Sequence, residues 1–350
     1  MKLQLTGTCP AAAEGPVHRV RAIILTAYIE VAEAVGLDGQ RMLRDAGFSP
    51  ESLADPENRV PAESFVKLLE RSAEMSGCDS FGLLMAERRD FARLGPLSLL
   101  LERLPNLREV VRACIIYRAH LNDITEIALE EADGTAVIRL DLVPGFWSVQ
   151  MTDLMVGIAY RVLHGASHGH WRPSAVHLVR KQPQDLAPWR RFYPVSVDFE
   201  NSFNGLSCSS ASLLEPNPLA DEVMARNARG LLRMVPVEET PLMVSEGVRR
   251  AIAQLLPGGR TTLDQVAAHM GMSARSLQRR LDEEGQTFGY LLNEVRRGLA
   301  AGYLADSDRP VTTVASLLGY GSPSSFTRWF VATFGTSPQA WRAERKLPPS

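Results

Sequence analysis

Two short segments of the sequence carry the same arrangement of side chains that can contact DNA. Residues 276–281 read SLQRRL and residues 325–330 read SFTRWF, so each holds serine, an apolar residue, a polar residue, arginine, a variable residue and a second apolar residue. In an α-helix the two apolar residues share one face and leave the polar side chains on the others. Arginine bonds guanine, glutamine bonds adenine, and serine or threonine contact base edges or phosphates. The repeat therefore predicts two helices suited to reading bases.

Each repeat follows the signals of an earlier helix and a tight turn. In the first copy, Thr262 and Ser273 are capping residues on either side of Gly271, which permits the turn. In the second copy, VTTVASLLGYG gives a helix followed by glycines, and Pro323 stands where the start of a helix tolerates proline. A single arginine-rich amphipathic helix is usually only a solvated surface. Two copies, each after a helix and a turn, indicate a double helix-turn-helix.

The segment between the two copies has the length of a spacer. It reads FGYLLNEVRRGLAAGYLAD, enough for a helix of roughly 25 Å at about 1.5 Å per residue. Recognition helices held roughly 34 Å apart, one turn of DNA, can enter successive segments of the major groove. One chain can then read a site of about two turns without dimerising.

The charge of the chain is distributed unevenly. Its formal net charge is −2, yet residues 243–350 hold 13 Lys and Arg against 9 Asp and Glu, while residues 1–242 hold 25 against 31. Almost all the positive charge of the C-terminal part is arginine, whose planar fork suits phosphates and guanine edges. The asymmetry agrees with a nucleic-acid partner for that part and is weak support by itself.

Length and composition indicate two globular domains. The chain has 350 residues, of which 45% are apolar and 22% charged. Its four cysteines lie far apart without a C-x-x-C, which argues against a zinc cluster or a disulfide framework and fits a reducing cytoplasm. No run of 18 uncharged apolar residues and no signal-peptide core occur, so we expect a cytoplasmic protein without a membrane span.

Periodicity separates a mixed first part from a helical second part. Helical spacing dominates residues 20–122, with a break at Pro105; a hairpin pattern follows in ITEIALEE, DGT and AVIRLDLV. Next come an amphipathic helix over about 150–164 and the short strand candidates AVHLVRKQ, VSVDF and GLSCSS. The fold class we predict is α+β, with a mixed helical and β domain, a linker and an all-α double helix-turn-helix domain of about seven helices, at residues 17–215, 216–242 and 243–346.

Residues 314–342, VASLLGYGSPSSFTRWFVATFGTSPQAWR, resemble the signature of the AraC/XylS family of bacterial transcription regulators. Signature positions or close equivalents are filled by Gly319, Tyr320, Ser325, Phe326, Arg328, Phe330, Phe334, Gly335, Ser337, Pro338, Trp341 and Arg342. The resemblance covers roughly 243–345 and, more loosely, the rest of the chain. It implies a regulator of transcription, by family default an activator, that binds double-stranded promoter DNA and works with RNA polymerase. A homodimer is one permitted assembly.

The resemblance also implies which residues contact DNA. They are Arg275, Gln278 and Arg279 in the first recognition helix and Ser324, Thr327 and Arg328 in the second. Ser325 is better explained as a brace at the junction of the two helices. Val331 and Ala332 stand where the family usually has basic residues, which predicts weaker phosphate contacts by the second module and a dominant share of the affinity for the first.

The N-terminal part resembles the sensor of a subgroup typified by regulators of ornithine utilisation. The similar text includes DAGFSPESLADPENRVPAESFVKLLE and WRPSAVHLVRKQPQDLAPWRRFYPVSVDF. Such domains are commonly called arabinose-binding, a name that does not establish a sugar ligand. The resemblance implies a small-molecule effector such as an amino acid, an organic acid or a lipid-like compound. Near the junction of the long helix and the hairpin, Tyr117, Arg118 and Arg139 are candidate ligand contacts, although most such arginines are simply solvated.

Two other functions stay open at this point. HGASHGHW places His164, His168 and His170 close together, so the N-terminal domain could be a metal-dependent sensor or an enzyme; a further metal ligand is not identifiable, and a polar turn explains the text equally well. Phosphate-loop, dinucleotide and nucleophile-elbow motifs do not occur where their chemistry requires them, so we expect no enzyme, cofactor or metal. The third hypothesis is a ligand-independent architectural DNA-binding protein.

Overall fold

The N-terminal unit begins with a small sheet and the helices that cover it. The computed structural model describes residues 18–49, 51, 54–89, 91–234, 244–256, 261–305 and 309–346. Two short strands pair in antiparallel fashion, β1 (Arg19–Arg21) and β2 (Arg59–Pro61). The helices of this part are α1 (Ile23–Ala34), α2 (Gly39–Asp45), α3 (Ala62–Ser76), α4 (Phe81–Glu87), α5 (Pro96–Leu101) and α6 (Leu107–Ile116), with 3-10 turns at Phe91–Leu94 and Arg118–His120.

A five-stranded sheet forms the second half of this unit. Its order is β3-β4-β7-β5-β6, antiparallel except for the β5–β6 pair. The strands are β3 (Thr125–Ala132), β4 (Thr135–Leu142), β5 (Ala175–His177), β6 (Val197–Asp198) and β7 (Gly205–Ser209). Asp133 and Gly134 both have positive φ and close the hairpin between β3 and β4. The accompanying helices are α7 (Val149–Ala166), α8 (Ala187–Phe192), a 3-10 turn at Ser212–Leu214, and α9 (Glu222–Met234).

Helix α7 lies between two hydrophobic cores. Met151 and Leu154 pack into the core under the first sheet and helices α1 to α4. Met155 and Val156 pack into the core between the second sheet and helices α5 and α6. Because one helix serves both cores, the N-terminal unit, which we define as the described residues up to 234, is a single packed body.

Helix α9 belongs to this body although it lies within the segment predicted as a linker. Its Ala225, Ala228 and Leu232 are at most 4% exposed and join the core beside α5. The packed structure therefore continues past residue 215. The rest of the predicted linker, residues 235–242, lies outside the described residues, and the domain limits stay a prediction.

The C-terminal unit, residues 244–346, is helical throughout its described residues. It consists of α10 (Val244–Leu255), α11 (Leu263–His269), α12 (Ala274–Glu283), α13 (Phe288–Ala305), α14 (Val311–Leu317), α15 (Pro323–Phe334) and α16 (Pro338–Lys346). One core gathers α10, α11, α12 and the first half of α13, and another gathers the second half of α13 with α14, α15 and α16. The predicted α+β class and the helical C-terminal part are confirmed.

Most of the predicted elements are present. The helix over 150–164, the break near Pro105 and the hairpin correspond to α7, the gap between α5 and α6, and β3–β4. Sequence periodicity missed the short helices α2, α4 and α8 and the pairing of β1 with β2. Among the described residues, no helix is both long and apolar enough to cross a membrane.

Candidate nucleic-acid interface and interior cavity

The first helix-turn-helix is built by caps and by a pair of buried leucines. Thr262 and Gln265 form a reciprocal capping box at the start of α11, and Gly271 takes a φ of +68° in the turn. Ser273 begins α12 and accepts a hydrogen bond from the backbone N–H of Ser276 at 3.2 Å. Leu277 and Leu281 are fully buried, which fixes the remaining faces of α12 toward solvent.

The second helix-turn-helix repeats this construction at positions 49 residues later. Ser322 begins α15 and accepts from the backbone N–H of Ser325 at 3.2 Å, and the two hydroxyls are 2.9 Å apart, the same distance as between Ser273 and Ser276. Phe326 and Phe330 replace the leucines and are also fully buried. Ser325 thus completes a helix cap, which supports its interpretation as a structural residue.

Arg279 and Arg328 occupy equivalent outward positions on the two helices. At 100° per residue, each arginine projects opposite the midpoint of the buried pair on its own helix. Both arginines are exposed, as are Arg275 and Ser324, while Thr327 is half-buried. Each recognition helix therefore presents an arginine away from its own core.

Acidic neighbours hold two of the candidate side chains of α12. The amide of Gln278 donates to Asp282 at 2.9 Å, and Arg279 lies 3.7 Å from Glu283. In α15 the position equivalent to Asp282 is Val331, which is 43% exposed. The first helix is thus a polar, internally paired surface, whereas the second has an apolar residue next to its arginine. The apolar Val331 was noted from the sequence. The acidic pairing in α12 was not, although the i, i+4 spacing of these pairs signals it.

Helix α13 joins the two modules into one body. It is 18 residues long, which corresponds to about 27 Å, and buries Leu291 and Val295 in the first core but Ala300 and Leu304 in the second. The guanidinium of Arg296 donates to the carbonyl of residue 318 at 3.0 Å and lies 4.5 Å from the ring centroid of Tyr320. The predicted spacer helix is confirmed. The 34 Å separation of the recognition helices stays a prediction.

The N-terminal unit contains an interior cavity of about 100 Å³ between α6, α7 and the β3–β4 hairpin. Most of its wall is apolar, with Val111, Ile138, Leu140, Met155 and Val162 among the lining residues. Its polar lining comes from Arg21, Arg89, Asn122 and Thr125. Because a single water needs only about 10–15 Å³ by a comparable measure, the space suits a small organic molecule.

Two sequence families match successive parts of this structure. The family described as "Arabinose-binding domain of AraC transcription regulator, N-term" matches residues 36–217, more than half of the chain. The chain belongs to the AraC family of transcription regulators. The family described as "Helix-turn-helix domain" matches residues 266–344, from α11 into α16. This AraC-family regulator thus combines an N-terminal ligand-binding domain with a DNA-binding helix-turn-helix domain.

Curated relatives extend along the chain of this AraC-family regulator. It is 26% identical over 341 residues to the "Ornithine utilization regulator" of Pseudomonas aeruginosa, covering 93% of this chain and 98% of that one. It is also 26% identical over 330 residues to the "HTH-type transcriptional regulator VirS" of Mycobacterium tuberculosis, covering 93% and 96%. The "Transcriptional activator NphR" of a Rhodococcus species is 37% identical over 97 residues, 28% of this chain and 29% of that one.

The predicted ligand residues of this AraC-family regulator do not line the cavity. Tyr117 contacts His120, with ring centroids 5.8 Å apart. Arg139 pairs with Asp141 at 2.9 Å and lies 5.5 Å from the ring of Phe203. Burial, followed by the nearby charge of Arg250, lowers the pKa of Arg118. Their role as ligand contacts stays a prediction. The cavity residues were not found from the sequence because they come from six separate segments.

The histidine cluster makes ordinary hydrogen bonds to backbone carbonyls. His164 Nδ1 lies 3.1 Å from the carbonyl oxygen of Trp171, and His170 Nδ1 lies 3.0 Å from that of Ser167. His168 takes a positive φ of 54° in the turn. Within the part of the chain that the structure describes, no three His, Cys, Asp or Glu side chains are grouped to hold a metal ion.

The two units of this AraC-family regulator contact each other beside the cavity. The Nε of Arg250 on α10 lies 2.8 Å from Oε1 of Glu126 on β3, and both side chains are at most 16% exposed. Trp147, which follows β4, lies edge-to-face with Tyr303 of α13, with ring centroids 6.2 Å apart. Burial, followed by the charge of Asp141, raises the pKa of Tyr303 to about 12, so its hydroxyl stays protonated.

The same elements form the cavity wall and the contact between the units. Thr125 and Ile127 on β3 line the cavity, and Glu126 between them contacts the C-terminal unit. Alternation along a strand explains this division, since neighbouring residues point to opposite faces. Similarly, Trp147 lies between cavity-lining residues of β4 and α7. The cavity wall and the contact with the C-terminal unit are therefore adjacent in the fold.

Proposed function

We propose that this chain activates transcription by inserting α12 and α15 into successive segments of the major groove of promoter DNA. The observation that carries the proposal is the repeated construction of the two helices. Each has a serine cap, a buried pair four residues apart and an arginine opposite that pair, and both are packed on α13. The DNA contacts in this proposal are Arg275, Gln278, Arg279, Ser324, Thr327 and Arg328.

The proposal includes control by a small molecule in the N-terminal domain. A ligand changes DNA binding only if it binds one arrangement of the two domains better than another. The contacts of Glu126 with Arg250 and of Trp147 with α13 support such a linkage, because they begin on the strands and the loop that enclose the cavity. The ligand acts by strengthening or weakening these contacts.

Activation, polymerase contact and self-association are further parts of the proposal. Activation is supported by the similarity to NphR of a Rhodococcus species, which is named a transcriptional activator. RNA polymerase is then the expected partner, and the need to reach promoter DNA implies a cytoplasmic protein. Catalytic activity is not part of the proposal. A homodimer is supported by exposed apolar side chains on α9, including Val223, Leu231 and Met234 at 49–79% exposure. Transcription with purified polymerase and sedimentation of the full chain test these parts separately.

Selection of bound DNA from a random pool tests the central part of the function. The purified full chain should enrich two short blocks of conserved sequence whose centres lie about 10 base pairs apart, one block for each recognition helix. Enrichment of one block would contradict reading by both helices. Retention of DNA without any sequence preference would favour the architectural hypothesis.

A further inference from the structure

One buried hydroxyl in the cavity wall lacks a protein partner. Thr125 is 8% exposed, and among the described residues its Oγ1 has no hydrogen bond. The side chain of Asn122 holds the backbone of Thr125. The Oδ1 atom of Asn122 accepts a hydrogen bond from the backbone N–H of Thr125 at 2.7 Å. A buried hydroxyl without a partner is destabilising, and such groups in native proteins usually bond a ligand, water or ion. Thr125 thus indicates where a polar atom of a bound molecule lies.

Positive charge lies at the same end of the cavity. Val20 bridges to Asn122 in antiparallel fashion, which brings β1 and the segment before β3 together. Arg21 follows Val20, is 5% exposed and pairs with Glu57, whose side chain is half-exposed. Arg89, 9% exposed, also belongs to the wall. Among the described residues that line the cavity, none is Asp or Glu.

These features discriminate between ligand charges. A carboxylate gains from the buried guanidinium of Arg21, which keeps further donors beside its pair with Glu57, and from the hydroxyl of Thr125 in an apolar surrounding. An ammonium group entering the same space meets guanidinium groups and no acidic side chain among the described residues of the wall, which is unfavourable. The remaining wall, which includes Val111, Leu140 and Met155, favours an apolar body.

We propose that the cavity binds a compact carboxylic acid with an apolar body, and that the carboxylate lies at Thr125 and Arg21. This inference rests on the proposed ligand-responsive function and specifies its effector class. It separates this chain from a sensor of ornithine or another amino acid, because an α-ammonium has no counter-charge among the wall residues that the structure describes. The apolar body extends toward α7, where Met155, Ala159 and Val162 face it.

Binding of charge-matched probes to the full chain tests the effector class. Calorimetry and thermal shift are run with hexanoate and phenylacetate, and with hexylamine and L-ornithine as the cationic counterparts. The two acids should bind at micromolar concentration and raise the melting temperature, while the two amines should do neither. Equal binding of hexylamine and hexanoate, or no binding of either acid at millimolar concentration, would overturn the assignment.

Thr125→Val tests the position of the carboxylate. Valine has the shape of threonine without the hydroxyl, so the variant should fold at least as stably as the wild type, since the lost group has no partner. Its affinity for hexanoate should fall about tenfold, the effect of one hydrogen bond to a charged group. The matched control Thr135→Val changes an exposed threonine of the same hairpin and should bind the acid like the wild type. Unchanged affinity in Thr125→Val would refute the placement.

The outcome for DNA separates this inference from the general function. The same preparation is used for DNA selection, which requires no effector to be identified. A protein that enriches a two-block site but ignores both acids would refute the effector class and leave the DNA-binding function intact. A protein that binds the acids but enriches no DNA site would refute the DNA-binding function and leave the effector class intact.

Discussion

At the scale of residues, the proposed recognition of DNA depends on the arginines that project away from the core of each recognition helix. Arg279 and Arg328 have the same position relative to a buried pair, yet their neighbours differ. Arg279 lies near Glu283, and Gln278 is hydrogen-bonded to Asp282. In the second helix, by contrast, the apolar Val331 lies three residues after Arg328. In the proposed complex with DNA, the first helix exchanges these internal pairs for contacts with bases and phosphates. The two modules are therefore expected to differ in the chemistry of recognition.

Replacing either arginine should affect one block of the binding site only. Arg279→Ala should cost roughly 1–3 kcal/mol and relax base preference in one block, and Arg328→Ala should do so in the other. Fluorescence anisotropy with single-base variants of the selected DNA measures both effects. Arg280→Ala, an exposed arginine on the flank of α12, is the matched control and should weaken binding without altering base preference. Uniform weakening on all sequences by Arg279→Ala would mark that residue as a phosphate contact.

Removing the acid beside Gln278 should raise affinity for DNA in general. Asp282→Ala takes a negative charge from the recognition face and frees the amide of Gln278, so binding to unrelated DNA should tighten severalfold at low salt. Base preference at the position contacted by Gln278 should decrease, because its side chain loses a fixed orientation. Titration of specific and unrelated DNA over a range of salt concentrations measures both changes. Weaker binding to unrelated DNA would show that Asp282 does not face the duplex.

At the scale of elements, the carboxylate of Glu284 ties the end of the first recognition helix to the start of α10. It accepts from the backbone N–H groups of Val244 and Ser245, the latter at 2.9 Å. Burial raises the pKa of Glu284, but the hydrogen bonds from Ser245 and Val244 outweigh it and hold the pKa below its ordinary value of 4.5. Glu284 therefore acts as a cap supplied by another helix.

Glu284→Gln should weaken this cap in a pH-dependent way. Because the folded pKa is depressed, the charged carboxylate stabilises the fold above its ordinary pKa, and the contribution is lost as pH falls through the folded value. At pH 7 the free energy of opening α10 should be about 1 kcal/mol lower in the variant than in the wild type, and the difference should shrink as pH falls below 4.5 and the carboxylate of Glu284 becomes protonated. Native-state hydrogen exchange of α10 measures it. Glu283→Gln, an exposed neighbour, is the control, and an equal loss in both variants would contradict the capping role.

The sequence predicted long, strongly patterned elements better than short ones. Helix α13, the capped helices α11 and α12 and the hairpin were predictable, because their periodicity and capping residues are local signals. Helix α4 and strand β2 were not, because they have seven or fewer residues without a side-chain cap to mark them and depend on packing from distant segments. The cavity could not be predicted from the sequence, because its wall also depends on packing between distant segments. Its polar group Thr125 is recognisable only once β1, α7 and the hairpin are assembled.

At the scale of the whole molecule, the two units are joined by a close contact at glycines of α13. A Cβ added at Gly302 would overlap the six-membered ring of Trp147, whereas one at Gly298 would find its nearest atom, the backbone N of Gly145, at 3.6 Å. Of these two positions, Gly302 is thus the one that has no room for a side chain. In the proposed function, this contact is part of the linkage between the cavity and the DNA-binding domain.

Replacing each of these two glycines by alanine should distinguish the effect of the contact with Trp147 from the effect of helix propensity. Both substitutions favour the helix by up to about 1 kcal/mol. Gly302→Ala should nevertheless push Trp147 away and speed amide exchange in residues 145–148 by tenfold or more, while Gly298→Ala should leave exchange there unchanged. Hydrogen exchange with mass spectrometry on the full chain measures both. Equal protection in the two variants would show that the units do not meet at Gly302 in solution.

Changing the distance between the two selected DNA blocks tests whether one rigid unit holds both recognition helices. Affinity of the full chain is measured by anisotropy for sites with 0, 1, 5 and 10 inserted base pairs. We predict that 5 inserted base pairs reduce the affinity to that of a single block, because the second block then faces the opposite side of the duplex, and that 10 do not restore it, because α13 is only about 27 Å long. Affinity that is independent of spacing, or that returns at 10 base pairs, would contradict the account.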